Sequence, residues 1–139
     1  LLLDQRKIPK SIEYLECRSL ESVIEAIKLM IVRGAPAIAL SGIYGLVLYF
    51  RSLTQKPEFS ELQTRVQSLL ESRPTAVNLR LAIEGFQKVL NRETFEREGL
   101  ETLTRISEDF ANRIFSEDLE TNRRIAENGA DLFGTPRPI

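Results

Sequence analysis

The chain has 139 residues, of which 42% are hydrophobic and 28% charged, with 19 basic against 20 acidic side chains. That balance describes one ordinary globular domain, long enough to bury roughly two-thirds of its unfolded surface. It excludes a general nucleic-acid or membrane-surface binder, which needs a basic excess.

Histidine is absent and cysteine occurs once. The chain therefore offers no imidazole base or metal ligand, no Ser-His or Cys-His nucleophile pair and no internal disulfide, and its lone thiol fits a reducing compartment. The opening "LLLDQRKIPK" is apolar for three residues only and does not read as a signal peptide. It predicts, with "SIEYLECRS", two short strands around a polar turn, Ile12 and Tyr14 alternating with Glu13 and Leu15. From Ser19, a candidate N-cap, the period becomes helical through Leu20, Val23, Ile24, Ile27 and Met30. This helix is expected to end near Val32, before Gly34.

Pro36 suits a first helical turn, and residues 37–50 are apolar or small on every face, which predicts a central buried helix. The run is shorter than the roughly 20 residues of a membrane span. Its small residues, Gly42 and Gly45 among them, predict close approach of neighbouring elements. After the loop "TQKPE", Ser60 and Gln63 have the form of a capping box ahead of a stripe of Leu62, Val66, Leu69 and Leu70. A helix behind Pro74 and Thr75 has Val77, Leu81, Phe86 and Leu90 as buried candidates. From Glu93 to about Phe133 the pattern stays helical, with Gly99 as an interruption and Ser116 as the cap of a new start. The expected fold is mainly α with a short N-terminal β-hairpin: a strand pair in residues 1–17 and a helical bundle over 19–133.

Chemistry concentrates at two junctions. In "VRGAPAIAL" an arginine and a glycine precede the buried helix, and in "SRPTAVNL" Arg73 stands immediately before a second helix start. A helix N-terminus carries unpaired N–H groups and about half a positive charge, so it attracts anions. Gly34 lets backbone approach a ligand, and each arginine adds a planar, permanently charged donor fork. Two such mouths could face one phosphate; the same residues also satisfy two ordinary helix junctions with arginines in water. Cys17 reads as a small packed hydrophobe more readily than as a nucleophile, since only Arg18 stands near it. The carboxylates of "SEDLE" at 116–120 read as a solvated helix start rather than a metal site. No Walker or dinucleotide glycine loop is present.

Three ordered segments, "LLLDQRKIP", "IKLMIVRGAPAIALSGIYGLVL" and "SRPTAVNLRLAI", resemble the N-terminal signature of the methylthioribose-1-phosphate isomerases. These share a family with the regulatory subunits of eukaryotic translation initiation factor 2B. The later "EDLETNRRIAENGADLF" is also similar, so the resemblance spans essentially the whole chain. The hairpin opening and "RGAPAI" point to the isomerase branch, whereas the related ribose-1,5-bisphosphate isomerases usually depart from Ala-Pro after Arg-Gly. Ala39–Leu40 departs from the isomerase pattern, a packing change on the buried helix.

The resemblance implies a two-domain, dimeric, cytoplasmic enzyme that converts 5-methylthioribose 1-phosphate into 5-methylthioribulose 1-phosphate in methionine salvage. It implies that Arg33, Gly34, Ala35 and Arg73 contact the phosphorylated sugar, and it implies no metal or organic cofactor. The catalytic cysteine and aspartate of that family lie in a larger, doubly wound C-terminal α/β domain, expected beyond Ile139, and Cys17 does not match the catalytic position. The Leu1 start and the "GTPRPI" tail fit a piece of such a protein, inactive alone, with its own C-terminal domain as partner. The alternative within the family is an assembly module that binds a sugar phosphate or nucleotide without catalysis.

Overall fold

The structure, a computed structural model, describes residues 1–133. Its hairpin is small: β1 (Leu2–Leu3) pairs antiparallel with β2 (Tyr14–Leu15), Leu2 opposite Leu15 and Leu3 opposite Tyr14. The Asp4 N–H continues the ladder to the Glu13 carbonyl at 2.9 Å. The buried Asp4 carboxylate then grips Arg6 through its backbone N–H and both prongs of its guanidinium, and Lys7 pairs with Glu13.

Six helices follow. In α1 (Leu20–Lys28) the Ser19 hydroxyl accepts from the Ser22 N–H while the Ser22 hydroxyl accepts from the Ser19 N–H, a reciprocal cap. The helix ends four residues before Val32. Met30 takes a left-handed φ of 57°, the Ile31 N–H donates back to Ala26 and the Met30 N–H to Ile27. That is a Schellman ending with methionine where glycine is usual. Met30 also continues the apolar spacing of α1, so the periodicity runs past the real end.

The central element is α2 (Ala35–Ser52). Its 18 residues and mean hydropathy of 1.2 would suffice to cross a membrane on length and composition alone, more than the 37–50 run suggests. The apolarity has another use here. α1, α4 and α6 pack around α2, and Ile43 and Leu46 are fully enclosed. A β-carbon at Gly42 would lie 2.5 Å from Leu79 Cδ1, and one at Gly45 would lie 3.0 Å from Leu20 Cδ1. The two glycines are therefore the surfaces on which α4 and α1 rest.

α3 (Phe59–Ser72) buries Leu62, Val66 and Leu69 as expected, but its N-cap is Glu58 with no side-chain cap. Ser60 lies inside the first turn, so the predicted Ser60–Gln63 box does not form. α4 (Val77–Val89) starts two residues after Thr75 and buries Leu79, Ile83 and Phe86. Val77 and Leu81, offered by the sequence as core, are 65% and 59% exposed. Leu79 wins because it is the residue that meets Gly42, which turns Val77 and Leu81 to the opposite face. A short α5 (Arg92–Arg97) precedes α6 (Leu100–Phe133). Gly99 does separate them, but Ser116 caps nothing: its hydroxyl donates to the Asn112 carbonyl within an unbroken helix. The acidic run 116–120 is accordingly a mid-helix face, tied by Arg113–Glu117 and Arg123–Glu120 ion pairs.

Candidate anion-binding site at two helix starts

Arg33, Gly34 and Ala35 form a single turn into α2. Gly34 is the N-cap at φ 89°, a conformation that a side chain would strain. No side chain caps this start, and the first helical hydrogen bond is Ile38 N–H to the Gly34 carbonyl. The N–H groups of Ala35 and Ala37 are thus left without an intrahelical acceptor, and Pro36 has none to offer. Arg33 is exposed. Its Nε donates to the Met30 carbonyl at 3.2 Å, and among the described residues its guanidinium has no acidic partner.

Arg73 occupies the other corner, as the C-cap of α3. Its carbonyl accepts from the Ala76 N–H at 3.0 Å, and Arg80 reaches back to the Pro74 carbonyl at 3.2 Å, so the turn is tied at both ends. α4 is uncapped by any side chain, and its first helical bond is Arg80 N–H to the Ala76 carbonyl. That leaves the N–H groups of residues 77–79 without an intrahelical acceptor. Arg73 is half-buried and, like Arg33, forms no ion pair among the described residues.

The two mouths belong to helices that pack directly, Leu79 in the first turn of α4 lying on Gly42 two turns into α2. The described contacts do not join the two guanidinium groups, and no described cavity is lined by both. Uncapped starts are not universal in this fold. α1 and α5 have serine and asparagine caps. α3 also lacks a side-chain cap, behind Glu58, so what sets the α2 and α4 starts apart is the arginine without an acidic partner that precedes each.

One functional candidate escapes the sequence. Gln5, just after β1, donates its backbone N–H to the Ile31 carbonyl at 2.9 Å and its side-chain Nε2 to the Arg33 carbonyl at 3.2 Å. These contacts span 26 to 28 residues, and no local pattern announces them. Cys17 is half-buried, with its thiol directed at the Ser22 carbonyl 3.8 Å away. It lines an apolar groove of ≈ 590 Å³ between the hairpin, α2 and α6, together with Leu3, Val32, Tyr44, Leu48 and Phe115.

Residues 31–137, most of the chain, match the Initiation factor 2 subunit family. The chain belongs to that family. Among its relatives, the methylthioribose-1-phosphate isomerase of Leptospira interrogans is 47% identical over 96% of this chain and 36% of its own length. That of Thermotoga neapolitana is 46% identical over 95% of this chain and 37% of its own. The solved 5-methylthioribose 1-phosphate isomerase of Pyrococcus horikoshii superposes with a TM-score of 0.85 at 33% identity, covering 93% of this chain and 36% of that one. The delta subunit of translation initiation factor eIF-2B from A. fulgidus gives 0.78 at 35%, covering 94% and 38%. This initiation factor 2 family chain thus spans little more than a third of the relatives it matches.

Proposed function

We propose that this chain is the N-terminal, substrate-holding part of an aldose–ketose isomerase that converts 5-methylthioribose 1-phosphate into its ketose. The carrying observation is the pair of uncapped helix starts, each entered behind an arginine with no acidic partner. A phosphate carries nearly two negative charges and several acceptor oxygens, so it suits free N–H groups beside a guanidinium fork. Arg33, Gly34 and Ala35 at one mouth and Arg73 at the other hold it. The isomerase names of relatives 46–47% identical over this region support the substrate.

Phosphate on the anomeric carbon prevents free opening of the sugar ring to an aldehyde. The reaction therefore needs an acid for the ring oxygen, then transfer of hydrogen between C1 and C2. In this reading those groups come from a C-terminal α/β domain absent from this chain, in a cytoplasmic homodimer, and residues 1–139 alone hold substrate without turning it over.

Arg33→Ala or Arg73→Ala in the full-length protein is expected to lower kcat/KM by about 10- to 100-fold, roughly 1.5–3 kcal/mol for a lost charged contact. Unchanged specificity constants in both variants would return the arginines to ordinary helix junctions. An assay for the ketose product with the isolated 139-residue chain is expected to give none. The similarity to the delta subunit favours a second reading, an assembly module that binds the same anion without catalysis. Full-length protein that binds the sugar phosphate yet never forms ketose would select it.

A further inference from the structure

The turn that carries Arg33 is tied on one side to a residue outside every helix. We propose that Gln5 is a positioning residue for this anion mouth, which it orients through the Arg33–Gly34 peptide. The inference rests on the functional reading above and adds to it a residue that touches no substrate.

The turn needs such help. Its two ends are held in left-handed backbone, φ 57° at Met30 and 89° at Gly34. Glycine visits both signs of φ at similar cost, so the peptide between Arg33 and Gly34 has little intrinsic preference for one orientation. The choice matters because a peptide unit is planar and trans, its C=O and N–H pointing to opposite sides. With the carbonyl turned to the hairpin, the Gly34 N–H faces away from it. Flipped, the same unit would present the negative end of its dipole where the N–H had been, at the entrance to α2.

Gln5 selects the first orientation by donating its Nε2 to the Arg33 carbonyl at 3.2 Å. Its backbone N–H holds the Ile31 carbonyl at 2.9 Å, so one residue clasps the chain on both sides of the buried Val32. The clasp is anchored in turn. Asp4, its neighbour, is fixed by the ladder bond to Glu13 and by the bidentate Arg6 pair at 2.9 and 2.7 Å. On the far side of the turn, the Arg33 Nε bond to the Met30 carbonyl holds the base of the guanidinium and leaves its terminal nitrogens for a ligand. Arg33 thus has its main chain held by Gln5 and its guanidinium held at Nε by Met30.

The test is steady-state kinetics of the full-length protein with Gln5→Met, which keeps length and removes the donor, and Gln5→Glu, which keeps shape and places an acceptor against the carbonyl. A mouth that binds phosphate equally in substrate and transition state affects KM more than kcat. The expected result is a KM raised about 5- to 20-fold in Gln5→Met and further in Gln5→Glu, with kcat within about 2-fold. The inhibition constant of inorganic phosphate should rise in proportion. A fall in kcat and in thermal midpoint with KM and phosphate inhibition unchanged would overturn the proposal, since a merely structural hairpin contact behaves that way. Unchanged kinetics would overturn it as well. Arg33→Ala, run alongside, separates the two levels: if it raises KM while Gln5→Met does not, only the positioning role fails. If neither moves KM, the reading of the mouth fails with it.

Discussion

Asp4 decides how firmly the hairpin is set. Its carboxyl is pulled down to about 2, first by the side-chain hydrogen bonds from Arg6 and then, against the cost of burial, by the Arg6 backbone N–H. The group is more acidic folded than in an unfolded chain, where an aspartate titrates near about 4. Its contribution to stability is therefore complete above about pH 4, fades as pH falls through about 2, and is gone below both values. Asp4→Asn should accordingly unfold more readily than the parent at neutral pH, with the gap closing between about pH 4 and 2. Chemical denaturation across that range measures it, and a gap that stays constant with pH would show that the carboxylate charge is not what holds Arg6. The sequence displays "LLLDQRKIP" as a short strand entering a polar turn but gives no hint that the aspartate is buried or that the adjacent glutamine reaches Arg33. The reach of the glutamine depends on where residues 31–33 lie, and that is set by the Schellman ending at Met30. The arginines were easier to find, because a charge ahead of a helix start is a local pattern.

At the level of elements, the caps separate two serines that look alike on paper. Ser19 and Ser60 each precede an apolar periodic segment, and each has a polar residue three positions on. Only Ser19 has extended backbone (φ −144°, ψ 165°) and exchanges hydrogen bonds with its partner. Ser60 sits one residue inside α3, where Glu58 is the boundary. Ser19→Ala is expected to cost about 1 kcal/mol, the usual loss for an N-cap hydroxyl. Ser60→Ala should be neutral or slightly stabilising, since alanine is the better helix former inside a turn. Urea melts of the two variants check this, and equal losses would mean that Ser60, not Glu58, bounds α3. The buried stripes of α1 and α3 were legible from period alone. α4 was legible only toward its end, where Phe86 and Leu90 are buried as expected. At its start Val77 and Leu81 make as good a helical stripe as Leu79 and Ile83 until Gly42 is seen to receive Leu79.

Across the whole molecule, α6 belongs to the bundle for only part of its length. Its 34 residues reach about 50 Å at 1.5 Å per residue. Leu103, Ser107 and Ala111 are fully buried, and Arg51 to Glu108 and Tyr44 to Asn112 fasten this half to α2 at 2.6 and 2.9 Å. Beyond it Phe115, Leu119 and Ile125 are 47%, 61% and 64% exposed, and nothing among the described residues covers them. What holds the second half is mainly same-helix pairs, Arg113–Glu117 and Arg123–Glu127 among them, each worth about 0.3–0.5 kcal/mol. Asn122, Asn128 and Gly129 are weak helix formers, and a helix without tertiary packing is marginal in water. Amide hydrogen exchange of the isolated chain should therefore divide α6. Residues 103–111 should exchange only through opening of the whole bundle, while residues 116–130 exchange at least about 100-fold faster through local fraying. Protection extending evenly to residue 130 in dilute solution would mean that the second half of α6 draws its stability from packing this structure lacks.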